Sequence, residues 1–346
     1  MSGVVQNINR FLNRETSRLL SVYHEPIYRQ IPDEEEFIAK ACAVLRRDAA
    51  ADADDNALPA LAPDYGTIST AAIYGGRRIP SGHGGMIHIA PVAESVADLA
   101  ALTLKPLPYE ETDFARAVKL YHKVRERLET DELYIRTPDF QGPLNTLALM
   151  MRDQGELIAG LYEEPDAVRE AALRVTDTLI GYVSRFRAEI GPARVVGNIW
   201  PFVALLNGVG VGITQDYMPL LGPDLYAEFE LPLLKKIAGH FGGVYVHCCG
   251  IYGQHLQNLA DSGVNILGLE CCYPETKAED VYAVFGDRVA ITPGVGPLGR
   301  EEFPSLAALV RSYRGKPVAS ARFWFCFCHE WGDVAELRRA VAELGV

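Results

Sequence analysis

No stretch of the sequence approaches the run of about 20 apolar residues that a membrane-spanning helix needs. Met1 to Asn13 also lacks the charged-then-apolar order of a secretory leader. Both absences lead us to expect a cytoplasmic protein that crosses no membrane. Basic residues are in the minority: 33 Lys and Arg stand against 45 Asp and Glu, a formal net charge of −12. Phosphate backbones are held by clustered lysine and arginine, so no nucleic-acid partner is expected. The Gly-x-Gly-x-x-Gly fingerprint is missing too. Gly208, Gly210 and Gly212 have the wrong spacing, and the acidic partner after a helix is absent. This disfavours a dinucleotide-binding doubly wound sheet. There is no internal repeat.

Cysteine is present, and its placement says more than its number. Of seven cysteines, Cys42 stands alone and the rest fall in pairs, Cys248/Cys249, Cys271/Cys272 and Cys326/Cys328, each near the end of a strand-like run. Nothing else looks secreted, so disulfides are not expected. Cys42 reads as a small buried hydrophobe, and Cys271 and Cys272 are open to the same reading. The stretch Gly243 to Gly250, Gly-Val-Tyr-Val-His-Cys-Cys-Gly, is different. Its β-branched and aromatic residues predict a buried strand, and Gly250 a sharp exit. Residues i and i+2 of a strand point the same way, so His247 and Cys249 can offer an imidazole nitrogen and a thiolate sulfur to one metal ion. A second strand-like run, Ala321 to His329, carries Cys326 and Cys328 and can supply a third donor. Zinc with one nitrogen, two sulfurs and an open fourth position is a catalytic pattern rather than a closed structural one.

Residues 1–60 read as a charged helical extension, with an acidic turn at Asp33 to Glu36 and a solvated Ala/Asp tract from Ala49 to Asp55. Val96 to Leu128 is predicted helical. Pro165 opens a long helix in which Val168, Ala172, Val175, Leu179, Val183 and Phe186 recur at helical spacing. Strand-like runs at Leu133 to Thr137, Arg194 to Ile199, Gly210 to Thr214, Val264 to Leu269, Val289 to Thr292 and Val318 to Cys328 alternate with helix-like ones. Such alternation means parallel strands covered by helices. The expected fold is α/β, a (β/α)8 barrel over residues 61–346 preceded by the helical extension. A barrel gathers catalytic groups at the C-terminal ends of its strands, where Asn198, Asp216, His247, Cys249, Glu270, Cys326 and Cys328 lie. His83 and His88, in a loop and short strand, read first as ordinary hydrogen-bonded histidines.

With these elements in place, the chain resembles the uroporphyrinogen decarboxylase superfamily. Within it, the likeness is to the zinc-dependent methyltransferase branch that serves coenzyme M methylation and related corrinoid-dependent demethylations. It runs from about Pro63 to the C-terminus. It rests on Thr137-Pro138-x-x-Gln141-Gly142-Pro143-Leu144, on Gln215-Asp216-Tyr217 with Pro223-x-x-Tyr226-x-x-Phe229-x-x-Pro232, and on Val246-His247-Cys248-Cys249-Gly250. The last of these is the most specific to the methyltransferase branch. The resemblance implies a (β/α)8 barrel and zinc held by His247, Cys249 and a cysteine of the last barrel strand, Cys326 in preference to Cys328. It also implies a methyl group passing between a small-molecule donor or acceptor and the cobalt of a corrinoid. No Asp-x-His-x-x-Gly element is present to hold cobalamin, so a partner corrinoid-binding protein is expected to supply it. Two features depart from the family. Met1 to Gln30 has no arginine-rich motif of the kind that holds porphyrin carboxylates, and the usual glycine before the third cysteine is absent.

Zinc in such a setting either lowers the pKa of a thiol or acts as a Lewis acid on the heteroatom of a methyl donor. Glu270 is a candidate base, proton donor or further ligand, and Asp216 a second catalytic candidate. Asn198, Gln215 and Tyr217 are candidate substrate contacts. Tyr134, Phe140, Trp200 and Trp324 are candidates to wall a pocket, although aromatics on strands are more often core. His255 and His329 rank behind the cysteines as ligands. The competing readings are a metal-independent decarboxylase or lyase on the same barrel, and a thiol-rich barrel that stores metal. The substrate is not legible.

Overall fold

The computed structural model describes residues 3–24, 33–51, 55–80, 87–198 and 202–345. In chain order its strands are β1 (Arg18–Tyr23), β2 (Ala60–Leu61), β3 (Arg78–Pro80), β4 (Ile87–Ile89), β5 (Tyr134–Thr137), β6 (Val195–Asn198), β7 (Val211–Thr214), β8 (Val244–His247), β9 (Ile266–Tyr273), β10 (Ala290–Val295) and β11 (Arg322–Cys328). A six-stranded sheet runs β1-β11-β10-β9-β8-β7, a three-stranded sheet runs β2-β5-β6, and β3 pairs with β4. All the pairings in the two larger sheets are parallel; only β3 and β4 are antiparallel. A parallel bridge from Gln141 to Thr214 ties the chain leaving β5 to β7. Among the described residues no ladder joins β1 to β2. The architecture is thus mixed α/β built on parallel sheets, with helices between successive strands.

Parallel strands are covered on both faces and read as nearly continuous apolar runs. β11 shows the consequence: Phe323, Phe325 and Phe327 pack into the main core, while Trp324 and the partly exposed Cys326 join a second cluster. That second cluster takes Leu19 from β1, Val196 from β6, Tyr245 from β8, Ala290 from β10 and Trp324 from β11, closed by Val5, Ile8 and Phe11 of the helix Gly3–Leu12. It therefore draws on both large sheets.

Two expectations are corrected. Residues 1–60 are not simply helical: β1 lies between the helices Gly3–Leu12 and Glu34–Ala49 and pairs along its length with β11, from Arg18↔Phe323 to Tyr23↔Cys328. Nor is Val96 to Leu128 one helix. It divides into Val96–Leu102, a short turn at Tyr109–Glu111, and Asp113–Leu128. Pro106 and Pro108 explain the break, since each lacks an N–H and pushes the residue before it out of helical geometry. The helix Pro165–Ile190 forms as expected. No described helix is long and apolar enough to cross a membrane.

Candidate metal centre

β8 carries Val244 and Val246 into the main core and turns Tyr245 and His247 the other way. The buried His247 ring sits between two partners. Its Nδ1 is 2.7 Å from Glu270 Oε2 on the adjacent β9, and its Nε2 is 3.1 Å from Cys249 Sγ. With Nδ1–H donated to the carboxylate, Nε2 is the nitrogen turned to the cysteine, an arrangement common among metal-binding histidines. Burial alone would lower the imidazole pKa; the Glu270 carboxylate and Cys249 outweigh it and raise it well above its ordinary value.

Beyond β8 the chain turns sharply, and Gly250 packs so close to Pro219 that a Cβ would fall 2.5 Å from its ring. The turn leaves Cys249 exposed, with its backbone N–H donated to Asp216 Oδ1 at 2.9 Å. Asp216, His247 and Cys249 thereby present an oxygen, a nitrogen and a sulfur all within 4.8 Å of one another. A carboxylate, an imidazole and a thiol so close together are chemically suited to zinc.

Beside this group opens a cavity of about 560 Å³ whose walls include Tyr23, Phe202, Glu270, Cys272, Cys326 and Cys328. Cys326 donates its S–H to the Phe202 carbonyl at 3.3 Å. Burial and the nearby Glu270 carboxylate push its thiol well above the usual range, with Arg136 opposing. Neither Cys326 nor Cys328 joins the three-residue group of Asp216, His247 and Cys249.

Other expected site residues lie elsewhere. Gln215 does not face the opening: it is buried, donating through Nε2 to Glu230 at 2.9 Å and accepting from the Tyr226 hydroxyl at 2.6 Å. Tyr217 is also buried, its hydroxyl donated to the Gln154 carbonyl. Both anchor the turn after β7 through these bonds. Asn198 ends β6, its backbone paired with Thr137; Trp200 and His83 fall outside the described residues. His88 is exposed on β4, and His255 is buried and donates to the Met218 carbonyl. His329 stacks on His24 at 4.5 Å. Trp324 and Phe140 are core, Tyr134 packs against it, and the aromatic walls of the cavity are Tyr23, Phe202, Phe327 and Trp331.

Two interior groups escaped the sequence reading. Asp139 lies in what looks like a plain Pro/Gly loop. It is fully buried, accepts from Gln141 and from Thr214 Oγ1, and is pushed up to about 7 by burial. The charges of His247 and Asp216 also act on it. Arg136, buried on β5, stacks on Phe202 at 3.8 Å and donates to the Val203 carbonyl. Its place in an apolar strand hid it.

No family model matches the chain. A uroporphyrinogen decarboxylase of Xylella fastidiosa is 25% identical to it over 192 residues, 52% of this chain and 49% of that protein. The match thus spans about half the length of that relative. A methyltransferase from Methanosarcina mazei superposes with a TM-score of 0.65 at 15% identity, over 99% of this chain and 97% of that one. A putative vitamin-B12 independent methionine synthase from Listeria monocytogenes superposes more loosely, with a TM-score of 0.44 at 11% identity over 99% and 93%. The sequence match and the fold together support the uroporphyrinogen decarboxylase superfamily. The Methanosarcina methyltransferase shares the fold along nearly the whole chain.

Proposed function

We propose that the chain is a zinc-dependent methyltransferase that moves a methyl group between a small molecule and the cobalt of a corrinoid on a partner protein. The observation that carries this reading is the His247 ring, held at Nδ1 by Glu270 and turned at Nε2 toward Cys249, with the Asp216 carboxylate beside them. A closed (β/α)8 barrel is our reading of the fold, supported by the cluster that side chains of both parallel sheets build together.

Zinc bound here supplies a place where a thiol becomes a thiolate at neutral pH, or where the heteroatom of a methyl donor is polarised. The chain's own residues prepare that place. Glu270 fixes the imidazole, and Asp216 holds the Cys249 turn through its backbone N–H. The resemblance implies Cys326 as a further donor; its S–H now rests on the Phe202 carbonyl and must be given up for that task. The cavity of about 560 Å³ is of small-molecule size.

A metal-independent decarboxylase or lyase is the second reading, favoured by the 25% identity to a uroporphyrinogen decarboxylase. Metal analysis separates the two. Protein purified without chelator is expected to hold about one zinc per chain, as a single catalytic site does, and to lose it in His247→Ala. Incubated with free cob(I)alamin and a panel of methylated thiols, amines and ethers, the native protein should change the cobalamin's visible spectrum with at least one donor. A native protein without zinc that methylates nothing would leave the decarboxylase reading.

A further inference from the structure

Cys272 has no task in the site as described so far. β9 was expected to end at Leu269, but it runs on to Tyr273 in register with β10, with Glu270 opposite Thr292 and Cys272 opposite Gly294. Alternation along a strand puts Glu270 and Cys272 on one face, while Leu269 and Cys271 pack into the main core. Glu270 is the residue that holds His247, and Cys272 is the next side chain on that face; like Cys326 and Cys328, it is not part of the group of Asp216, His247 and Cys249 whose ligand atoms lie within 4.8 Å of one another. Cys272 is half-buried and lines the cavity together with Glu270 and Cys326. Its sulfur makes no hydrogen bond among the described residues, whereas the Cys326 sulfur is held by a carbonyl. Two glycines keep space around it: a Cβ on Gly294 would lie 3.7 Å from Cys272 Sγ, and one on Gly296 3.3 Å.

We propose that Cys272 is a thiolate donor to the metal held by His247 and Cys249. This rests on the zinc reading above and extends it. Each added thiolate makes the ion softer and less positive, so a sulfur-rich set selects zinc over magnesium or manganese. Such an ion also polarises an ether or alcohol oxygen less than a set of neutral ligands would. Cys272 thus tilts the centre toward a sulfur reactant.

Cobalt(II) substitution tests this, because thiolate-to-metal charge-transfer absorption reports thiolate ligands directly. Native protein, Cys272→Ser, Cys326→Ser and His247→Ala are each loaded with Co(II), and zinc affinity is measured by chelator competition. Cys272→Ser is expected to lose part of the charge-transfer band and to weaken zinc binding by roughly 10- to 100-fold, the range seen when groups that support a metal site are altered. A second measurement needs no variant: zinc should slow iodoacetamide alkylation of Cys272 in the native chain at least severalfold, read by peptide mass spectrometry. A full band and affinity in Cys272→Ser, or alkylation of Cys272 at the same rate with and without bound zinc, overturns the proposal alone. A native chain that takes up neither cobalt nor zinc overturns it together with the zinc reading.

Discussion

At His247 the choice of nitrogen decides the chemistry. The 2.7 Å contact from Nδ1 to Glu270 orients the ring and leaves Nε2 toward Cys249. Glutamine at 270 keeps the shape and can still accept from Nδ1–H, but it removes the charge that makes the imidazole a better donor. Glu270→Gln is therefore expected to weaken zinc binding roughly 10- to 100-fold while leaving the far-UV circular dichroism spectrum unchanged. An unaltered affinity in chelator competition would mean that Glu270 does not orient the ligand. The same scale shows what the sequence left open. Gln215 and Asp216 are neighbours at a strand end and look alike as candidates, yet one bonds inward to Glu230 and Tyr226 and the other reaches the Cys249 turn. Strand alternation predicts such a split only once it is known where the strand stops. The His-x-Cys pair was legible because both side chains sit on one short strand and its exit. Asp139 was not, because only the folded chain surrounds it with Thr214, Gln141 and the field of His247.

Among the elements, β9 and the helix after β7 carry the most constraint. Between Val244 and Tyr245 the β8–β9 register shifts, so that Gly268, not Leu267, stands opposite Tyr245. A Cβ on Gly268 would lie 2.2 Å from the Tyr245 ring and 2.8 Å from the Ala290 carbonyl oxygen. Gly268→Ala should accordingly destabilise the fold by about 1–3 kcal/mol, the usual cost of overpacking, measured by urea unfolding; a loss under 0.5 kcal/mol would mean that the strand pair yields easily. In the helical segment after β7, residues Tyr226–Glu230 take a wide π turn just before Pro232, whose missing N–H removes a normal helical bond. That turn buries Glu230 against Leu144 N–H and the Gln215 amide, and burial pushes its carboxyl up to about 8. The unfolded value is near 4.3. Between these two values the folded state holds a proton that the unfolded state has released, so stability is highest below the window and falls as pH rises through it. Glu230→Gln should flatten that decline, seen as a smaller drop in Tm from pH 5 to pH 8 than the native chain shows; equal slopes would place the titration elsewhere. Long amphipathic helices such as Pro165–Ile190 were plain in the sequence because their periodicity repeats over many turns. β1 was not, since a six-residue strand between two helices has too few residues to show a period, and its partner β11 lies some 300 residues away.

In the whole molecule, parallel strands aim their carboxyl ends one way, and the loops there bear exposed apolar side chains. Leu220 follows β7, Ile251 follows β8, Leu298 follows β10 and Trp331 follows β11, and they are 54%, 60%, 76% and 52% exposed. Single exposed hydrophobic residues are ordinary on protein surfaces. Here four follow the strands whose ends carry the candidate metal centre and its cavity, and Trp331 is itself part of the cavity wall. If the methyl group passes to cobalt on another protein, that protein must cover this mouth, and an apolar rim is what it would bury. Charges placed on the rim then separate docking from chemistry. Leu220→Asp combined with Leu298→Asp touches none of the candidate ligands and should raise the apparent KM for a corrinoid protein about tenfold, the loss expected when apolar contacts worth somewhat over 1 kcal/mol are removed. Methyl transfer to free cob(I)alamin, which needs no protein surface, should proceed at the native rate in the same variant. Equal losses with both acceptors would show that the rim shapes the reactant pocket, and no loss with either would put the corrinoid partner on another face.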